Sequence, residues 1–210
     1  MSRVLTLLLI VLLGCFTVEA QRKTAATPRP RTAEQYLTQG VALGGRGLLP
    51  QAVAAFREAL RLNPDLPEAH LNLGLALQRM GKLPEALAAL RTALQLRSDW
   101  AEAHSAYGFA LGQADDLDGA LAEFERAIQL SPQLQEAHFR LGVTRWLAQQ
   151  YEASIAPLLE AARLKPEQLE AHLYLGRALQ QTGKLVEGIA ELQRAAALGP
   201  RVAEIQFALA

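Results

Sequence analysis

A chain of 210 residues, half of them hydrophobic, can bury a substantial apolar core. Its 21 basic side chains are matched by 21 acidic ones, which argues against a nucleic-acid partner, since such a partner needs a net positive face to displace counterions. The single cysteine, Cys15, excludes an internal disulfide.

The first element is a targeting segment. Arg3 supplies a positive start, Val4 to Leu13 is an unbroken apolar run, and Val18 and Ala20 occupy the −3 and −1 positions of a cleavage site after Ala20. The run is too short for a spanning helix, which takes about 20 apolar residues. A second reading stays open: Leu12-Leu13-Gly14-Cys15 resembles a bacterial lipobox, whose cysteine is lipidated. Cleavage after Ala20 would instead leave a mature chain without cysteine, which suits an oxidising compartment and removes cysteine catalysis. Residues 21–32 carry Arg22, Lys23, Arg29 and Arg31 and no acid, so they read as a flexible tether and leave the remainder mildly acidic.

From residue 33 onward the chain repeats. Glycine returns at Gly40, Gly74, Gly108, Gly142 and Gly176, alanine at Ala59, Ala93, Ala127, Ala161 and Ala195, and leucine at Leu62, Leu96, Leu130, Leu164 and Leu198. Pro64, Pro132, Pro166 and Pro200 keep the same interval, with Ser98 in the gap. A period of this length marks an array of one unit, here 33–66, 67–100, 101–134, 135–168 and 169–202. Within the second unit, Ala69–Gly81 is expected as a first helix, with Leu71, Leu73, Leu75 and Leu77 giving a wide apolar side. Pro84–Leu96 is expected as a second helix, with Ala86, Leu87, Leu90, Ala93 and Leu94 forming one stripe. A helical glycine costs about 1 kcal/mol relative to alanine, so its return in every first helix implies close packing, with Gly74 expected to face Ala86.

These residues resemble the tetratricopeptide repeat family, whose pattern runs aromatic, Leu-Gly, Tyr or Leu, Ala, Phe, Ala and Pro. Tyr36, Gly40, Leu43, Ala52, Phe56, Ala59 and Pro64 carry it in the first unit, and His70, Leu73, Gly74, Leu77, Ala86, Leu90 and Ala93 in the second. The resemblance covers 33–202. It implies an all-α, right-handed superhelical solenoid of about five helix-turn-helix repeats plus a short C-terminal helix, with the first helices lining a concave groove. It also implies that ligands meet first-helix positions that here are Ser105, Phe109, Phe139, Arg140, Val143, Trp146, Tyr174 and Arg177. Aromatic and arginine side chains are the usual anchors of binding surfaces. The family's carboxylate clamp for acidic C-terminal tails is not matched: Asn72 is present, but Leu37, Val41, Glu102 and Ala106 hold its other positions. An asparagine ladder is likewise absent beyond Asn72.

Other features fall into the same frame. His70, His104, His138 and His172 share one repeat position. Neighbouring helices lie about 8–10 Å apart, too far for one zinc held at about 2 Å, so the rings are expected to pack between helices and no metal site is assigned. Asp115-Asp116-Leu117-Asp118-Gly119 lacks the spacing of a calcium loop and reads as a helix cap. Gly40–Gly47 lacks the Lys-Ser/Thr ending of a phosphate loop; its extra Gly44 and Gly45 suggest a frayed first helix. Glu34, Glu68, Glu102, Glu136 and Glu170 favour helix N-termini and could also give the groove an acidic edge. No nucleophile–base or paired-carboxylate arrangement stands apart from the repeat, so no enzyme activity and no cofactor are expected.

The fourth unit departs most. Arg145 replaces a leucine column, Gln149 stands where three other units have glycine, and Pro157 lies inside a second helix, where it is expected to remove a hydrogen bond and bend it. The segment 203–210 begins a sixth unit with Ile205, Phe207 and Leu209, apolar residues that could cover the last helix or mediate self-association. The expected role is a non-catalytic protein–protein scaffold of an exported compartment, the bacterial periplasm or beyond, holding a partner protein or peptide in the groove. The alternatives are a lipid-anchored assembly factor for outer-membrane or pilus complexes, touching the membrane only through Cys15, and a regulatory or carrier subunit of an enzyme such as a glycosyltransferase or protease. Trp146→Ala with Arg140→Ala is expected to weaken binding without changing the melting temperature.

Overall fold

A computed structural model describes residues 31–199. The targeting segment 1–20 with Cys15, the tether through Pro30, and the segment 203–210 lie outside the described residues. Ten helices fill the described stretch: α1 (Ala33–Gly45), α2 (Leu49–Leu62), α3 (Pro67–Arg79), α4 (Leu83–Leu96), α5 (Ala101–Gln113), α6 (Leu117–Leu130), α7 (Gln135–Leu147), α8 (Tyr151–Leu164), α9 (Leu169–Gln181) and α10 (Leu185–Leu198). Every first helix has 13 residues and every second helix 14. The second unit's helices start earlier than expected, because Pro67 is tolerated in a first turn that has no use for its missing N–H. The first helix also stops sooner. Met80 caps it, and Gly81 takes a left-handed turn with φ of 73°.

That turn explains a column of residues. Gly47, Gly81, Asp115, Gln149 and Gly183 all have positive φ, and the next residue donates its N–H back to the carbonyl of Leu43, Leu77, Leu111, Arg145 or Leu179 at 2.9–3.0 Å. This is the glycine-terminated closure that ends many helices and satisfies an otherwise unpaired carbonyl. Asp115 and Gln149 hold the conformation with a Cβ, which costs roughly 1–2 kcal/mol. Gln149→Gly is therefore expected to raise stability by about 0.5–1 kcal/mol, read as a higher melting temperature; an unchanged or lower one would mean that the side chain makes compensating contacts. After the turn, Asp116 caps α6 by accepting from the Gly119 N–H at 2.9 Å, as the acidic turn suggested.

The recurring glycines mark contacts between paired helices, with the expected small residue's backbone and more closely with a bulky side chain one turn further on. A Cβ on Gly74 would lie 2.6 Å from Leu90 Cγ, and only 3.3 Å from the Ala86 carbonyl oxygen. The partner is thus the bulky side chain of the second helix: Phe56, Leu90, Phe124, Leu158 and Leu192 each occupy the space a glycine leaves, and each is at most 2% exposed. α1 is not frayed. It runs to Gly45, and Arg46 continues its hydrogen bonding to Ala42 and Leu43.

Successive units are joined by the core and by the histidines. Phe56 and Val53 of the first unit pack in one cluster with Leu73, Ala76 and Leu77 of the second. Each histidine ring donates through Nε2 to the carbonyl six residues earlier, at Pro64, Ser98, Pro132 or Pro166, over 2.9–3.1 Å. The rings therefore clip the inter-unit turn to the following helix, a more specific role than packing between helices. Successive first helices touch one another, as α5 and α7 do, whereas successive second helices barely meet. The array accordingly curves with its first helices on the inner side.

Pro157 does not end α8, which is continuous from Tyr151 to Leu164. Its missing N–H would have gone to the Ala153 carbonyl, four residues back. Arg145 fills that vacancy: Nη1 donates to the Ala153 oxygen at 2.9 Å while Nη2 donates to Glu125 Oε1 at 2.7 Å. Arg145 and Pro157, two of the fourth unit's three departures, are thus one compensated exchange.

Candidate functional site: the inner groove

The inner face is built from the same first-helix positions in each unit, so the sequence frame fixes which side chains reach it. Val41, Leu75 and Phe109 stay 37–49% exposed there, a column of apolar side chains at one repeat position. Two recesses meet at Phe109. One, of about 350 Å³, lies between α5 and α7 and is lined by Phe109, Gln113, Phe139, Val143 and Leu147. The other, of about 340 Å³, lies toward α3 and is lined by Leu71, Leu75, Gln78, Phe109 and Glu102. Arg140 borders both. A larger recess of about 430 Å³ is set among α8, α9 and α10 around His172, Glu191 and Arg194, away from the apolar column.

Arg140 is the central polar group. Its guanidinium lies 3.7 Å from the Phe109 ring centre, within cation–π range, and Nε donates to Glu136 Oε1 at 2.6 Å. Nη1 is buried with no hydrogen-bond partner. Burial lowers the pKa of this arginine against the opposing effect of Glu136, the signature of a charge only partly compensated. The only other buried side-chain donor without a partner among the described residues is Trp146 Nε1. Both of these donors belong to α7, and both are buried.

The residues expected to meet a ligand divide in two. Phe109, Arg140 and Val143 border the open recess. Phe139, Trp146 and Tyr174 also pack against one another, with ring centres 6.4 Å (Phe139–Tyr174) and 5.3 Å (Trp146–Tyr174) apart, over the buried Leu158, Leu175 and Leu179. Ser105 is buried beneath the second recess and Arg177 is half-buried on α9. Trp146 therefore packs α7 against its neighbours, so Trp146→Ala with Arg140→Ala is now expected to lower the melting temperature as well as to weaken binding. Leu75, Gln78, Gln113 and Leu147 were missed, although Leu75 shares a repeat position with Phe109. Gln78 donates to Gln113 at 2.9 Å between the first helices of units two and three.

The acidic column is partly neutralised. Glu68 pairs with Arg97; burial opposes its ionisation, but a backbone N–H and Arg97 hold its carboxyl below the usual carboxylate range. Glu136 pairs with Arg140. Glu102 and Glu170 are exposed, and neither makes an ion pair among the described residues.

One histidine clip carries a pH dependence. His104 Nδ1 lies 2.6 Å from Glu123 Oε2 and its Nε2 faces the Ser98 carbonyl, so both ring nitrogens meet acceptors. The Glu123 hydrogen bond raises the His104 pKa, outweighing burial, which acts the other way. A raised folded-state pKa gives stability that is fully present below the unfolded value of about 6.5 and lost as pH rises through the folded value. Thermal melts should thus show wild type losing more stability than His104→Gln as the pH is raised from about 6 to 8; parallel curves would contradict this.

A curved stack of antiparallel helix pairs with an open apolar inner face is the architecture of a protein–protein interaction scaffold. The chain belongs to the tetratricopeptide repeat family: models described as TPR repeat or tetratricopeptide repeat match residues 45–81, 67–99, 108–168 and 148–203. The family is in general non-catalytic, and its members bind peptides or proteins. Among solved structures, MamA from Desulfovibrio magneticus is 22% identical with a TM-score of 0.71, covering 81% of this chain and 96% of its own. PilF of Pseudomonas aeruginosa is 22% identical with a TM-score of 0.77, over 84% of this chain and 80% of its own. YrrB, described as a TPR protein with an unusual peptide-binding site, is 18% identical with a TM-score of 0.70, over 91% and 96%. At these identities the likeness is one of fold. No curated protein sequence matches the chain.

Proposed function

We propose that this protein is a non-catalytic scaffold that holds an extended segment of a partner protein in the inner groove of units three to five. The observation that carries this reading is the open apolar recess between α5 and α7, with Phe109 and Leu147 exposed at its mouth and Arg140 at its edge. An extended peptide supplies apolar side chains of the kind such a recess takes. The peptide-binding site that names YrrB supports the same use of this architecture. Affinity capture from the source organism tests it: Phe109→Ala with Leu147→Asp should lose the partner that wild type retains, while Leu159→Asp on α8 keeps it. Equal capture by the groove variant would overturn the reading.

We also propose that the scaffold works outside the cytoplasm. Arg3, the apolar run Val4–Leu13 and the small residues Val18 and Ala20 support export, and Leu12–Cys15 supports a lipid anchor as the second form of it. Mass spectrometry of the mature N-terminus distinguishes them: a chain beginning at Gln21 indicates a free protein, a lipidated Cys15 an anchored one, and an intact Met1 contradicts export.

A further inference from the structure

The two ends of the array are unlike in a way that the repeat makes legible. At every junction one residue of a first helix shares an apolar cluster with one residue of the second helix before it: Leu73 with Val53, Tyr107 with Leu87, Leu141 with Leu121 and Leu175 with Ile155. Both members of each pair are buried or half-buried. One turn earlier the first helices place Ala69, Ala103, Ala137 and Ala171, all buried, against the same neighbour. In α1, which opens the array, those two positions are the exposed Gln35 and Gln39, a polar end of the kind a solenoid needs. The other end is apolar. Ile189 of α10, which continues the column of Val53 and Ile155, is 42% exposed, and Leu185 beside it is 58% exposed.

We propose that this face of α10 is a docking seat for residues 203–210 of the same chain, with Leu209 over Ile189 and Ile205 over Ala195 and Ala196. Each second helix is joined to the next first helix by the same short link, Leu62 to Pro67 and Leu164 to Leu169, and an equal link after Leu198 brings the segment into register at residue 203. Ile205 and Leu209 then fall in the two columns that are apolar wherever a unit precedes and are glutamine only in α1. That contrast also disfavours a second copy stacked end to end, because it would bury Gln35 and Gln39 against Ile189 and strip their amides of water. A segment on a short link is present at an effective concentration of about millimolar, which a separate copy of the chain has to exceed. Val186, 81% exposed, lies outside the seat: its counterparts Pro50, Pro84, Asp118 and Glu152 stay exposed even where a first helix follows.

Thiol labelling of the purified chain tests this, with Cys15→Ser in place so that an introduced cysteine is the only thiol. Ile189→Cys should react slowly with an uncharged maleimide, since a docked segment must open before the reagent enters. Adding Leu209→Asp should speed that reaction about tenfold or more, whereas Leu209→Ile should leave it slow. Two other positions serve as controls. Val186→Cys should react fast with or without Leu209→Asp, and Val53→Cys, in the same column as Ile189 but beneath α3, should stay protected in both, which shows that the array itself is intact. Fast labelling of Ile189→Cys in the otherwise unaltered segment, at the rate seen with Leu209→Asp, would overturn the proposal. Protection of Ile189→Cys that survives Leu209→Asp would overturn it as well, and protection that grew with protein concentration would assign the face to a second copy instead.

Discussion

Gly142→Ala should destabilise the array by about 1–2 kcal/mol, whereas Gly112→Ala, a change of the same chemistry in the preceding first helix, should stabilise it by up to about 1 kcal/mol. An added methyl normally favours a helix by about that amount. At Gly112 the new Cβ would sit 3.7 Å from the Ala120 Cβ, an ordinary contact. At Gly142 it would fall 2.5 Å from Leu158 Cγ and 3.2 Å from the Leu158 backbone nitrogen. Leu158 has no room to retreat, being fully buried, and overpacking a filled core costs about 1–3 kcal/mol, which outweighs the helix gain of about 1 kcal/mol. Denaturant unfolding of the two variants beside wild type measures the difference. Leu158→Ala should partly rescue Gly142→Ala, because the cavity it leaves accepts the methyl. Equal effects of the two glycine changes would show that the recurring glycines do not set the helix–helix distance.

The second large effect is a coupling. Arg145→Leu restores the leucine that other units carry, yet it should destabilise by about 1–2 kcal/mol, because the Ala153 carbonyl loses a charged donor and Glu125 loses its partner. With Pro157→Ala in place, the residue at 157 again has an N–H for Ala153, and the same Arg145→Leu should cost roughly half as much or less. A double-mutant cycle on unfolding free energies reads this as a coupling of about 1 kcal/mol. Strictly additive changes would mean that Arg145 and Pro157 departed from the repeat independently.

Much of this was legible before any coordinates. The thirty-four-residue period located all five helix pairs, because a unit that cannot bury its own apolar face must repeat to be stable. The frame also placed Phe109, Arg140 and Val143 on the inner face. Three things were less accessible, for physical reasons. Gly74 does face the Ala86 backbone, but the Leu90 side chain that fills the space above it, one turn further along, was not legible from the pairing of small residues. The packing of Trp146 on Tyr174 was not legible either, because frame position does not say how far a large ring folds back. Arg145 and Pro157 were each visible as anomalies. Their connection was not, since it depends on a carbonyl that no residue letter records, although a lost i to i−4 acceptor could have been sought at Ala153.

The claim that most needs testing is that the inner groove, and not the outer helices, is the working surface. A photo-crosslinking residue placed at Leu147, on the groove, and separately at Leu159, on α8, in the protein expressed in its source organism measures this directly; both side chains are 56% exposed, so access alone does not distinguish them. Light should give a discrete adduct from position 147, lost in Phe109→Ala, and none from position 159. A discrete adduct from 159, with none from 147, would contradict the assignment and move the binding surface to the outer helices.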